Sequence, residues 1–72
     1  MLHWLEIERG RRWQLIRGQM AIVLGSVQCF NEEADTYYGT WEDMPGRPSG
    51  RTGAVSGLDD CKRMVEEKAA GV

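Results

Sequence analysis

Apolar and polar residues alternate with a period of two along the first part of the chain, and this pattern predicts strands. In "LHWLEIE", His3, Leu5 and Ile7 share one face while Leu2, Trp4, Glu6 and Glu8 share the other. Arg9 and Gly10 turn the chain, and "RRWQLIR" resumes the alternation, with Trp13 and Leu15 set against Arg12, Gln14 and Ile16. Two such runs joined by a glycine turn predict a β-hairpin, and Gly18 supplies the next turn. "MAIVLGSVQCF" is the most β-prone run and predicts a central strand, with Gly25 marking a bulge or a close approach. After the polar "NEEAD", the run "TYYGTWE" sets Tyr37 and Trp41 against Tyr38, Thr40 and Glu42.

The period then changes. In "SGLDDCKRMVEEKAAG", Leu58, Cys61, Val65 and Ala69 recur at helical spacing, and Met64 widens the stripe. Ser56 is placed to cap this helix, Asp59 to return the capping-box contact, Asp60 to favour the positive end of the dipole, and Gly71 to stop it. The pattern predicts one α+β domain over residues 1–72: a four-stranded antiparallel β-meander within 2–42, a flexible Gly/Arg-rich hinge over 43–55, and a C-terminal amphipathic helix over 57–70 packed on one face.

One helix covers one face of a sheet. If Trp13, Leu15, Tyr37 and Trp41 face the helix, alternation sends Trp4, Ile16 and Tyr38 to the other side, joined by Ile22 and Leu24. The expectation is an apolar open face buried in a homodimer or against a target protein, with Trp4 and Tyr38 as anchors.

The charges change this picture more than the composition does. A chain of 72 residues with 42% apolar and 28% charged residues is an ordinary small globular domain, whose core supplies little surplus stability. Its formal net charge is only −2, yet the charges are segregated: Arg9, Arg11, Arg12 and Arg17 early, Glu32, Glu33, Asp35, Glu42 and Asp43 in the middle. The acidic group is predicted to meet a basic partner surface, one that otherwise holds nucleic acid. The alternative function is nucleic-acid binding through the four arginines, with Arg47 and Arg51 adding to them. The first twelve residues carry acids and no uninterrupted apolar core, so neither a secretory signal nor a membrane span is expected, and the chain is placed in the cytoplasm. Cys29 and Cys61 stand apart in apolar segments and are expected as buried thiols.

The segment "GRPSGRTG", residues 46–53, has the look of a phosphate loop without its parts. It lacks the lysine, places Pro48 where an N–H is needed, and ends before the helix cap, so it is read as a crossing segment. His3 is the lone histidine, and no ligand spacing accompanies it, so no metal or other cofactor is expected. The acid pairs Glu32–Glu33, Glu42–Asp43, Asp59–Asp60 and Glu66–Glu67 are adjacent in sequence and point apart, which suits a surface and not a general acid–base pair. No catalytic residue is assigned, and the chain is read as non-enzymatic.

The order of these segments, with "LGSV" at Leu24 to Val27, an aromatic strand ending at Trp41 and a closing "SGLDDCKRMVE", resembles that of short accessory proteins carried by bacteriophages and other mobile elements. Their closing helix often follows S-x-L-x-x-A-K-x-x-V-E, matched here by Ser56 or Gly57, Leu58, Lys62, Val65 and Glu66, with Cys61 where alanine is usual. The resemblance implies a protein-binding inhibitor, of which anti-CRISPR proteins are one group, acting on a host protein or complex in the host cytosol. It carries over no functional residue.

Overall fold

The computed structural model describes residues 2–19, 22–42, 46 and 48–70. They form β1 (Leu2–Glu8), β2 (Arg12–Arg17), β3 (Ile22–Asn31), β4 (Thr36–Trp41), β5 (Gly50–Arg51), β6 (Val55–Ser56) and α1 (Leu58–Ala70). The first four strands pair in chain order as an antiparallel meander, and α1 lies across β3 and β4 on one face. This is the α+β architecture that the periodicities predict.

The four-strand expectation is incomplete. Part of the segment read as a hinge returns along the outer edge of β4, where β5 pairs with Thr40 and Trp41, and β6 pairs with Thr36 and Tyr37. Two strands of two residues each are too short to show any alternation, which is why they leave no signal in the pattern. Between them, Thr52 is buried and takes the place of a strand: its N–H donates to the Gly39 carbonyl at 2.8 Å, and its Oγ1 accepts from the Gly39 N–H at 2.9 Å. The same hydroxyl donates to the Gly53 carbonyl at 2.7 Å. A single threonine thus satisfies both backbone groups of Gly39 in the gap between two short strands.

Register decides which residues face the helix. Trp4 lies opposite Leu15, and directly opposed residues share a face, so Trp4 sits on the helix side and not on the open side. Its indole Nε1 donates to Glu66 Oε1 of α1 at 2.6 Å, and Lys62 Nζ stands 5.5 Å from the ring centroids of both Trp4 and Trp13. Leu24 is also corrected. Leu15 pairs with Gly25 and Ile16 with Val23, which leaves Leu24 as the extra residue of a bulge. It therefore turns inward with Trp13, Leu15 and Val27, and the four are buried with Cys61, Val65 and Ala69. Ile22 pairs with Arg17 on that same side, beyond the cover of the helix, and is half exposed. Ile16 does point to the open side, but it is buried there between His3 and Val23 of the flanking strands.

The helix seats Val65 at the closest approach to the sheet. A Cβ at Gly25 would stand 2.7 Å from Val65 Cγ1 and 2.6 Å from the Thr40 carbonyl oxygen, and one at Gly39 would collide with Val65 Cγ2. Glycine at both positions lets the valine rest on bare backbone. Cys61 and Ala69, one turn to either side, complete the buried stripe, whereas Met64 is exposed and does not pack as expected. Ser56 remains in β6, and Gly57, at φ 91°, opens the helix: its carbonyl accepts from Cys61 N–H and its N–H donates to the Asp35 carbonyl at 2.8 Å. The predicted stop at Gly71 and the site residue Asp43 lie outside the described residues.

Burial raises the pKa of the Cys61 thiol, an effect that the nearby Thr52 hydroxyl partly offsets. Burial also raises that of Tyr37, and the neighbouring Asp35 carboxylate adds to it.

Three outcomes follow from this packing. Gly39→Ala should cost about 1–3 kcal/mol in urea unfolding, and the Gly39→Ala/Val65→Ala pair should cost less than the sum of the single changes by at least about 0.5 kcal/mol. Strict additivity would mean that Val65 is not what fills the space above Gly39. Thr52→Val keeps the shape but leaves the Gly39 N–H without an acceptor, for a loss of about 1–3 kcal/mol. With both acids raised, stability is full below the ordinary thiol value of 9.0 and declines above it, because the unfolded thiol ionises first; Tyr37 adds its loss above 10.0. Denaturation midpoints followed across alkaline pH should fall, and Cys61→Ala should abolish the part of the decline between about pH 9 and pH 10.

Candidate protein-binding surface

The face of the sheet away from α1 differs from the expected apolar patch. One row of paired positions runs Leu5, Gln14, Ser26, Thr40 and Arg51 from β1 to β5, and its middle is polar, with the Ser26 and Thr40 hydroxyls 2.7 Å apart. The next row runs Arg12, Gln28 and Tyr38. With Ile16 buried between its neighbours, the centre of this face exposes polar side chains and not the expected apolar patch.

Among the described residues, the exposed large apolar side chains of the sheet, apart from Ile22 on the helix side, lie in two places. On β1, Leu5 is 50% and Ile7 43% exposed. Where β3 runs into the turn before β4, Phe30 is 62% and Tyr38 38% exposed, and their rings meet edge to face with centroids 5.0 Å apart. An edge-to-face pair holds both rings in place without burying them, so the aromatic surface is already ordered before any partner arrives.

The turn that follows Phe30 supplies the charge. Asn31 Oδ1 accepts from the Glu33 and Ala34 N–H groups at 3.0 and 3.2 Å, an arrangement that fixes the β3–β4 turn with Glu32, Glu33 and Asp35 all exposed on it. Glu42 is not part of this group, because it follows the opposite end of β4, where its N–H donates to the Leu24 carbonyl at 2.8 Å.

The basic set divides in the same way. Arg9 and Arg11 lie in the turn between β1 and β2, which the meander places at the same end of the sheet as the acidic turn. The two turns adjoin: Cys29 N–H donates to the Arg11 carbonyl at 2.7 Å, and Arg11, Phe30, Glu32 and Glu33 line one open depression of about 310 Å³. Arg12 is engaged by Glu8 at 3.3 Å. Arg17 stands at the far end of β2, about 17 Å away along the strand. Charges segregated along the chain are thus intermixed in space.

Phe30 belongs to no set that the sequence pattern singled out, nor do Leu5 and Ile7. Phe30 could have been found by carrying the alternation of β3 past its bulge to Gln28 and Phe30, on the side of Tyr38. Tyr38 itself lies on the open side, as the alternation has it. Among the described residues no three His, Cys, Asp or Glu side chains converge as a metal ion would require, and no helix is long and apolar enough to cross a membrane. The chain finds no match among protein-family models, curated proteins or solved structures.

Proposed function

We propose that this chain is a small non-enzymatic protein-binding module that acts by stoichiometric contact through the Phe30–Tyr38 end of its sheet. The ordered aromatic pair beside three exposed carboxylates carries the reading. Two rings held by each other offer apolar contact at little entropic cost, and Glu32, Glu33 and Asp35 around them favour a partner that is basic at the rim and apolar at the centre. Charge at such a rim steers encounter and selects among partners more than it strengthens the bound state.

The nucleic-acid alternative loses support from the geometry. Arg17 is remote from Arg9 and Arg11, Arg12 is held by Glu8, and Glu32 and Glu33 adjoin Arg11, so a phosphate approaching this end meets carboxylates as well as guanidinium groups. Within the protein-binding reading, the resemblance to phage-borne accessory proteins makes a host defence complex of the CRISPR type the first partner class to test, with inhibition by occupying a basic surface as the mode.

Capture from a host extract, followed by titration calorimetry against the purified partner, tests the assignment. Phe30→Asp should weaken binding about 30-fold or more while the circular dichroism of the sheet is retained. Reversal of Glu32 and Glu33 should slow association and flatten its dependence on salt. Binding that survives Phe30→Asp would place the contact elsewhere. Retention of single-stranded or duplex oligonucleotides at low salt, abolished by reversing Arg9 and Arg11, would instead establish the nucleic-acid function.

A further inference from the structure

A second depression, of about 440 Å³, opens on the side of Tyr38 away from β3, and it is lined by Tyr38, Thr40, Arg51, Thr52, Gly53 and Ala54. It exists because the edge segment is one residue longer than the strand it follows. Arg51 pairs with Thr40, Thr52 bonds to Gly39 and Val55 pairs with Tyr37, so Gly53 and Ala54 together oppose Tyr38. Gly53 has no side chain to fill the gap, and a Cβ built there meets no atom within 4 Å.

The lining is a set of donors around one cation. Thr40 lies opposite Arg51 in the row of the open face, so guanidinium and hydroxyl share one side of the sheet. The Arg51 side chain enters no ion pair or hydrogen bond among the described residues, and no carboxylate, that of the exposed Glu42 included, lines the depression. The N–H groups of Gly53 and Ala54 likewise donate to no protein acceptor among the described residues. The acidic turn begins beyond Thr36, about 13 Å from Thr40 along β4, which exceeds the screening length of about 8–10 Å at physiological salt.

We propose that this depression is a carboxylate site, in which Arg51 takes the anion while Tyr38 and the Ala54 methyl take the apolar body that carries it. A guanidinium offers a planar fork of N–H donors that matches the two oxygens of a carboxylate. Thr40 adds a further donor: its Oγ1 is 2.7 Å from Ser26 Oγ, and with Ser26 donating, the Thr40 hydrogen turns to the ligand. One cation with no second beside it balances a single negative charge, whereas a phosphate monoester brings nearly two. In a protein partner the ligand is an aspartate or glutamate beside an apolar residue, and that carrier rests on the protein-binding reading. Tyr38 is then contacted from both flanks, with basic groups of the partner at the Glu32–Glu33 turn and an acidic one at Arg51. The site itself is tested without a partner.

Titration of the intact chain with benzoate at constant ionic strength should move the amide signals of Thr40, Arg51, Gly53 and Ala54 saturably, with a dissociation constant of about 10 mM. Acetate, which lacks the apolar body, should bind at least about three-fold more weakly. Arg51→Gln should weaken benzoate binding by about five-fold or more. Gly53→Val, which fills the gap from a position with room for it, should do the same, and both variants should keep the circular dichroism of the sheet. Shifts that stay linear up to about 100 mM overturn the proposal, as do shifts indifferent to Arg51→Gln. Phenyl phosphate bound more than about ten-fold tighter than benzoate overturns the carboxylate assignment. Partner binding that survives Phe30→Asp bears on the proposed function alone and leaves these titrations unaffected.

Discussion

Val65 resting on the backbone of Gly25 and Gly39 is the contact on which the other features depend. A helix packs against a sheet at a distance set by the side chains between them, and here two glycines remove those side chains at the centre. The helix comes close enough for Cys61 and Ala69 to be buried as well, and for a stripe of small residues to complete the core. The bulge at Leu24 belongs to the same solution. It places Leu24 and Gly25 on one side of β3, so that a large residue fills the flank of the helix while the glycine lies beneath it. In a domain this small, one well-fitted row is most of the available core.

A helix drawn down at that point obliges the chain to travel from the end of β4 to the start of α1 along the sheet edge. The path is stitched by β5, Thr52 and β6, and each stitch has its residue. Gly50 lies under the Trp41 indole, where a Cβ would stand 2.5 Å from ring carbon Cζ2. Thr52 serves Gly39 with both main chain and side chain, so the same glycine that receives Val65 from above is held from the side. Gly57 ends the path by tying the helix start to Asp35 in the β3–β4 turn. The crossing segment therefore protects an edge strand while it positions the helix.

These relations explain what could be read from the residues and what could not. Alternation in β2 and β4, and in β1 as far as Glu6, and the helical stripe from Leu58 to Ala69 are properties of single segments and survive in the fold, whereas a bulge at Ile7 puts Glu8 on the face opposite Glu6. Which face of β1 turns inward is a property of its register with β2, and alternation alone puts Trp4 on the wrong side because no local pattern encodes that phase. Leu24 was misplaced for a related reason: Gly25 signals a bulge, but a bulge reverses the faces of everything on one side of it, and only the pairing with Leu15 and Ile16 shows where the reversal falls. Thr52 was invisible because its role depends on two strands of two residues each. For the candidate surface, Tyr38 and the acidic turn could be named from the residues, whereas Phe30 required the corrected phase of β3.

The meander itself accounts for the mixing of charge. Antiparallel strands return to the same end at every second turn, so the basic turn after β1 and the acidic turn after β3 become neighbours although some twenty residues separate them. Long-range attraction for nucleic acid needs charge of one sign over a surface wider than a screening length, about 8–10 Å at physiological salt. Arg9 and Arg11 beside Glu32 and Glu33 produce a short-range pattern instead. Such a pattern is felt only at contact, where charge discriminates by register, and it adjoins the Phe30–Tyr38 pair, whose rings are both exposed and held. That combination of short-range charge and fixed apolar surface is the physical ground on which the proposed protein-binding role rests.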